Sequence, residues 1–177
     1  MFQHHHLPGG KVMELYFFRH GIAADRADYA EDGDRPLTTK GETRTKLVAQ
    51  RLQELGLHFE GILTSPLLRA RQTAEILAAA ELGPHPQVFQ GLAPRGSLGA
   101  FLAWLERWEA APDAKLVLVG HQPDLGEWAE AIAFGQTGHH LNLKKAGIIG
   151  LRSGAARIQA HTDNELFLLT SPKWLLP

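Results

Sequence analysis

Residues 115–121 read KLVLVGH: a lysine, four apolar residues in succession, then Gly120 and His121. A continuous apolar run lacks the alternation of a half-exposed strand and is too short for a helix. It predicts a central strand covered on both faces, as in a parallel sheet layered with helices. Moving outward, MELYFF at 13–18 is a second apolar run, ending against Arg19, His20 and Gly21, and GILT at 61–64 is a third. Helical periods separate them. After a loop at 22–38, Thr39 with Glu42 three residues on predicts a capping box, and Leu47, Val48, Leu52 and Leu55 share one face up to Gly56. Ser65 then Pro66 predicts the N-cap and first position of a second helix, carried to Ala80 by Leu67, Ala70, Ala74 and Leu77. Val88-Phe89 is a short run. Ser97 caps a third helix bearing Leu98, Phe101, Leu102, Leu105 and Trp108, and Pro123 opens a fourth that reaches Phe134. In the last third, 148–152, 157–161 and 166–170 read as strands, with a turn at Ser153-Gly154 between the first two. The alternation predicts an α/β fold, a three-layer α/β/α sandwich on a mostly parallel central sheet.

The 177 residues are 44% apolar and 21% charged, as expected for a globular chain of one domain. His4 to His6 and Pro8-Gly9-Gly10 mark residues 1–12 as a disordered extension, leaving 13–177 as a single domain. A net charge of -1 and a pI near 6.8 exclude a strongly basic nucleic-acid binder. No apolar run is long enough to span a bilayer, and the N-terminus lacks the apolar centre of a secretory signal. The absence of cysteine excludes disulfides, a thiolate nucleophile and a cysteine zinc site, and fits a reducing compartment. The expectations are a cytoplasmic chain with no membrane and no nucleic-acid partner. No long apolar stripe is left over, so a monomer is expected rather than an oligomer. Neither His4–His6 nor His139-His140 has companion ligands, so no metal is expected.

In layered sheets, ligands bind at the carboxyl ends of the strands. Three polar clusters fall there: Arg19-His20-Gly21, Arg69 in the first turn of the second helix, and Gly120-His121. Together they gather two arginines and two histidines in one cleft. Two guanidiniums repel each other unless an anion sits between them, and the arginine fork matches phosphate and carboxylate oxygens. The helix starts near Pro66 and Pro123 add amide donors. A neutral imidazole has a free lone pair and can attack phosphorus. Gly21 would let the backbone approach a ligand closely. Arg35, Arg95 and Lys144 are candidates for the mouth of the cleft, with ordinary surface charges as the alternative. Trp104 and Trp108, at helical spacing, read as core.

Four segments then form a pattern: YFFRHGIA (16–23), DRPLTTKG (34–41), ILTSPLLRARQTAEIL (62–77) and LVLVGHQPDL (116–125). In this order they resemble the motifs of the histidine phosphatase superfamily, phosphoglycerate mutase-like in fold, and within it the SixA-type phosphohistidine phosphatases. GLAPRGSL and AGIIGL resemble its shorter segments, so the likeness covers 13–170. The resemblance implies a metal-independent enzyme with no cofactor. His20 would be the nucleophile, Arg19 and Arg69 the phosphoryl clamp and His121 a further donor, with Gly21 and Arg35 at the substrate. The substrate implied is a histidine-phosphorylated protein, a phosphorelay or phosphotransferase component.

Two departures bear on the substrate. Ile22-Ala23-Ala24 replaces the Ser and Asn of mutase-like members, and residues 91–95 lack their acidic glutamate. An alkoxide needs a general acid more than the imidazole of phosphohistidine does, so the missing carboxylate favours a P–N bond. Glu31, Asp32, Asp34 and Asp124 are the remaining proton sources. No long insertion provides a lid, which suggests an open site suited to a side chain on another protein. The alternatives are a small-molecule phosphomonoesterase or mutase, and a non-catalytic phosphate-binding module. The intact His20 and His121 speak against the last.

Overall fold

The apolar runs become neighbours in one sheet. The computed structural model describes residues 12–109, 111, 113–153, 158 and 164–176. β1 (Glu14–Arg19) lies between β4 (Lys115–Gly120) and β5 (Ile148–Ser153); β2 (Gly61–Thr64) and β3 (Gln87–Val88) continue beyond β4, and β6 (Asn164–Thr170) beyond β5. β1 to β4 are parallel, whereas β5 is antiparallel to both β1 and β6. Side chains alternate across a strand, and here both sides are covered. Leu15, Phe17, Leu116 and Leu118 pack under α3 (Leu98–Arg107) and α4 (Asp124–Phe134), through Phe101, Leu105, Leu125, Trp128 and Ile132. Tyr16, Phe18, Val117 and Val119 face the opposite layer, α1 (Thr39–Glu54) and α2 (Leu68–Ala79), through Val48, Leu52, Ala70, Ala74 and Leu77. A short α5 (Pro172–Leu175) packs against α1. The result is the expected three-layer α/β/α arrangement on a mixed, mostly parallel sheet.

Several local expectations are corrected. The N-cap of α1 is Thr38, whose hydroxyl accepts from Gly41 N at 3.0 Å, so the Thr39/Glu42 box is replaced by a cap one residue earlier. Leu47 and Leu55 are exposed, because the buried stripe of α1 is Thr45, Val48, Ala49 and Leu52. α2 begins at Leu68 rather than at Pro66, with Leu67 as its N-cap. The strand expected at 157–161 lies outside the described residues apart from Ile158, which is not in a strand, and Gly154 of the expected turn also lies outside. The expected 1–12 extension lies outside them apart from Val12. Trp104 and Trp108 stack on each other with ring centroids 5.7 Å apart and pack against the α3/α4 core. β3, at one edge of the sheet, is two residues long and follows Pro84 and Pro86. Among the described residues no helix is long and apolar enough to cross a membrane.

Phe17 is fully buried on the central strand. Phe17→Ala should cost about 3–5 kcal/mol of unfolding free energy in a denaturant titration. The exposed Leu47→Ala should stay within about 0.5 kcal/mol of wild type.

Candidate active site

The site grows from three strand ends brought to one level. β1 and β4 pair with Arg19 opposite Gly120, and His20 N donates to Gly120 O at 3.1 Å. One strand further, Ser65 N donates to Val119 O at 2.9 Å. The residues just past these ends are therefore neighbours. The His20 and His121 rings lie 5.1 Å apart between centroids, and Arg69, in the first turn of α2, donates from Nε to His20 Nε2 at 3.3 Å. His20, Arg69 and His121 are all buried. The four residues expected to meet, Arg19, His20, Arg69 and His121, do so.

The partners of His20 define its tautomer. Its Nδ1 lies 2.7 Å from Gly21 O, and a carbonyl can only accept, so Nδ1 carries the proton. Nε2 is left with a lone pair, on which the Arg69 Nε–H is directed. Burial holds the His20 pKa down to about 3, reinforced by His121 and by the Arg69 and Arg19 charges. Burial and the same arginines hold His121 at about 3 as well. Both imidazoles are neutral near pH 7. His121 Nε2 lies 2.7 Å from Ser65 Oγ, while its Nδ1 is buried without a partner among the described residues. Arg19 donates from Nη1 to Leu143 O at 2.6 Å, and its Nε is likewise buried and unpaired. Two unsatisfied buried polar atoms at one centre mark a place where a ligand would complete the hydrogen bonding.

The anion expected between the arginines is supplied in part by the chain itself. Asp32 reaches in from a short 3₁₀ turn. Its Oδ2 accepts from Arg69 Nη2 at 2.8 Å, its Oδ1 from Arg35 Nη1 at 2.7 Å, and its carbonyl from Arg69 Nη1 at 2.7 Å. The Arg35 and Arg69 hydrogen bonds bring its pKa down to about 2, so it stands as a carboxylate. Arg35 is thus tied to the centre through Asp32, and its Nε donates to Ala24 O at 3.0 Å. Arg95 and Lys144 are exposed. Lys145, which sequence reasoning passed over, is the lysine that shares the field of Arg19, Arg35 and Arg69.

Gly21 is placed differently from expectation. Its N donates to Thr73 Oγ1 at 3.0 Å, and a Cβ there would strike Thr45 Oγ1 and come within 3.2 Å of Leu37 Cδ2. The missing side chain therefore admits α1, not a ligand. Ser65 is not a helix cap in the expected sense; its hydroxyl lies between Leu67 N, at 3.3 Å, and His121. Glu130 was missed as well. It is buried in α4, and its carboxylate accepts from the amides of Gly138 and Leu141, fixing the loop that leads to Leu143 and Arg19. An acid in step with the apolar positions Trp128, Ala129 and Ile132 of α4 was the available signal. His139 and His140 are exposed, and His139 pairs with Glu127 at 3.0 Å. Among the described residues no group of three or more His, Asp or Glu side chains could hold a metal ion.

The histidine shifts have a consequence for stability. As pH falls from about 6.5 towards 3, the unfolded chain binds protons at His20 and His121 that the folded chain refuses. Stability present above this window should be lost within it. The Tm of wild type should fall more steeply with acidification than that of a His20→Gln/His121→Gln double variant.

Comparisons with known proteins bear on the family and the fold. The model of the histidine phosphatase superfamily (branch 1) matches residues 15–95. A protein of Picosynechococcus sp. (strain ATCC 27264 / PCC 7002 / PR-6) is 99% identical over 165 residues, 93% of this chain and 100% of its own. The phosphohistidine phosphatase SixA of Escherichia coli (strain K12) is 33% identical over 126 residues, 71% of this chain and 77% of its own. The solved structure of the protein histidine phosphatase SixA complexed with tungstate superposes with a TM-score of 0.77 and 27% identity, over 93% of this chain and 100% of that one. The chain thus belongs to the histidine phosphatase superfamily, in its SixA-type branch.

Proposed function

We propose that the protein is a phosphatase that removes the phosphoryl group from phosphohistidine in other proteins, through a phosphorylated His20. The observation that carries this reading is the state of His20: Nδ1–H is committed to Gly21 O, and Nε2 keeps a lone pair inside a cationic centre. In the first step the Arg69 Nε–H turns from the His20 lone pair to the bound phosphoryl group, Nε2 attacks phosphorus, the P–N bond of the substrate breaks, and the departing imidazole takes a proton from solvent water. In the second step water attacks the phosphorus of phospho-His20. Inorganic phosphate leaves and His20 regains its lone pair. Arg19 and His121 supply the unpaired buried groups, Nε and Nδ1, that would meet the phosphoryl oxygens. Asp32 holds the Arg69 guanidinium on two sides, so that it stays beside the nucleophile, where it would meet the phosphoryl oxygens. Phosphoryl transfer is chiefly positioning and charge stabilisation, and these groups supply both. The ionised Asp32 has no proton to give at neutral pH, which suits a P–N bond better than an ester.

One observation favours a second reading, a small-molecule phosphomonoesterase. Asp124, three residues after His121, accepts from Arg95 N at 2.7 Å, in the segment that lacks a glutamate. Burial pushes its carboxyl pKa up, as a proton donor requires.

Labelled phosphohistidine peptide should transfer its phosphorus to wild type, and His20→Ala should take up none. His121→Ala should lower turnover about a hundredfold, equivalent to about 3 kcal/mol. With chelator present, the phosphohistidine peptide should turn over faster than p-nitrophenyl phosphate. Faster turnover of the ester, abolished by Asp124→Asn, would replace the first reading with the second.

A further inference from the structure

This inference rests on the proposed function and concerns which phosphohistidines the site accepts. The chain between α4 and β5 clasps the histidine-bearing turn. Ala146 N donates to Arg19 O at 3.0 Å and His20 O at 3.3 Å, and Arg19 N donates to Gly147 O at 3.1 Å. Arg19 Nη1 closes the clasp on Leu143 O at 2.6 Å. Lys145 sits inside this frame and is partly buried. The charged groups acting on it are Arg19 from β1, Arg35 from the loop before α1, and Arg69 from α2. Burial first, then these three charges, hold its ammonium below the usual lysine range. Among the described residues its side chain has neither a hydrogen bond nor an ion pair.

The charge balance then matters. The charges of Arg19, Arg35 and Arg69 all act on Lys145, and among the described residues Asp32 is the carboxylate bonded to members of the group. His20 and His121 add no charge. A phosphoryl dianion would still leave one positive charge in excess. The unpaired donors of Arg19 and His121 are buried, whereas Lys145 is partly open to solvent. Asp32 holds Arg35 and Arg69, which leaves Lys145 as a partly exposed cation without a bonded partner among the described residues.

We infer that Lys145 binds a second anionic group of the substrate, a carboxylate beside the phosphohistidine, and so selects phosphohistidines flanked by acidic side chains. Two phosphohistidine peptides that differ only in Glu or Gln next to the phosphorylated residue test this with the full chain. Wild type should prefer the acidic peptide about tenfold in kcat/KM, and added salt should erode the preference. Lys145→Met should make the two peptides equal, Lys145→Arg should keep the preference, and Lys145→Glu should reverse it. Equal rates in wild type would overturn the inference. So would a preference that survives Lys145→Met, or an equal loss on both peptides, which would place Lys145 on the phosphoryl group itself. A second arm needs no phosphohistidine. Phosphonoacetate, with a carboxylate beside its phosphonate, should inhibit p-nitrophenyl phosphate turnover more strongly than inorganic phosphate in wild type and equally in Lys145→Met. If neither peptide is hydrolysed, the proposed function fails, and this arm alone decides on Lys145.

Discussion

The parallel pairing of β1 with β4 is the constraint on which the rest depends. It sets Arg19 opposite Gly120 and so places His20 and His121 side by side. The register is not fixed by those polar residues. It is fixed by the division of Leu15 and Phe17 from Tyr16 and Phe18, matched by Leu116 and Leu118 against Val117 and Val119. A slip of one residue would turn each apolar side chain to the wrong layer. The burial that makes the sheet also sets the height of the histidines.

The polar centre then has its own requirement. Arg69 is buried, and a buried guanidinium without partners is costly. Asp32 gives one oxygen to Arg69 and the other to Arg35, which offsets repulsion among cations before any ligand arrives. Glu130 serves the opposite side. Its bonds to Gly138 and Leu141 hold the loop on which the Leu143 carbonyl meets Arg19. Neutral imidazoles, cationic forks and one carboxylate form a single centre that keeps a net positive charge for an anion.

The sequence made the layers, the strand ends and the four meeting residues legible, because continuous apolar runs and strand-end polar clusters are local signals. It misled where one residue has two possible partners. Ser65 before Pro66 looks like a helix cap, yet its hydroxyl is taken up beside His121 and the helix waits until Leu68. Leu47 and Leu55 match the period of α1, but small residues, Thr45 and Ala49, make the closer contact. Gly21 serves the approach of α1, which no reading of its own tripeptide could show. Asp32 stood as one of four candidate acids, since its position depends on how an irregular loop coils. Lys145 was overlooked in favour of Lys144 because adjacent residues in a loop have no period to separate them.

The narrow β3 border has a consequence of another kind. A sheet normally ends in a row of unpaired amides that invites a strand from a neighbouring molecule. Here that row is two residues long, and Pro86, which has no N–H to offer, precedes it directly. On this side the sheet offers too little template for edge-to-edge aggregation, so the strands that carry the chemistry are sheltered from fibre-like growth by the weakest strand among them.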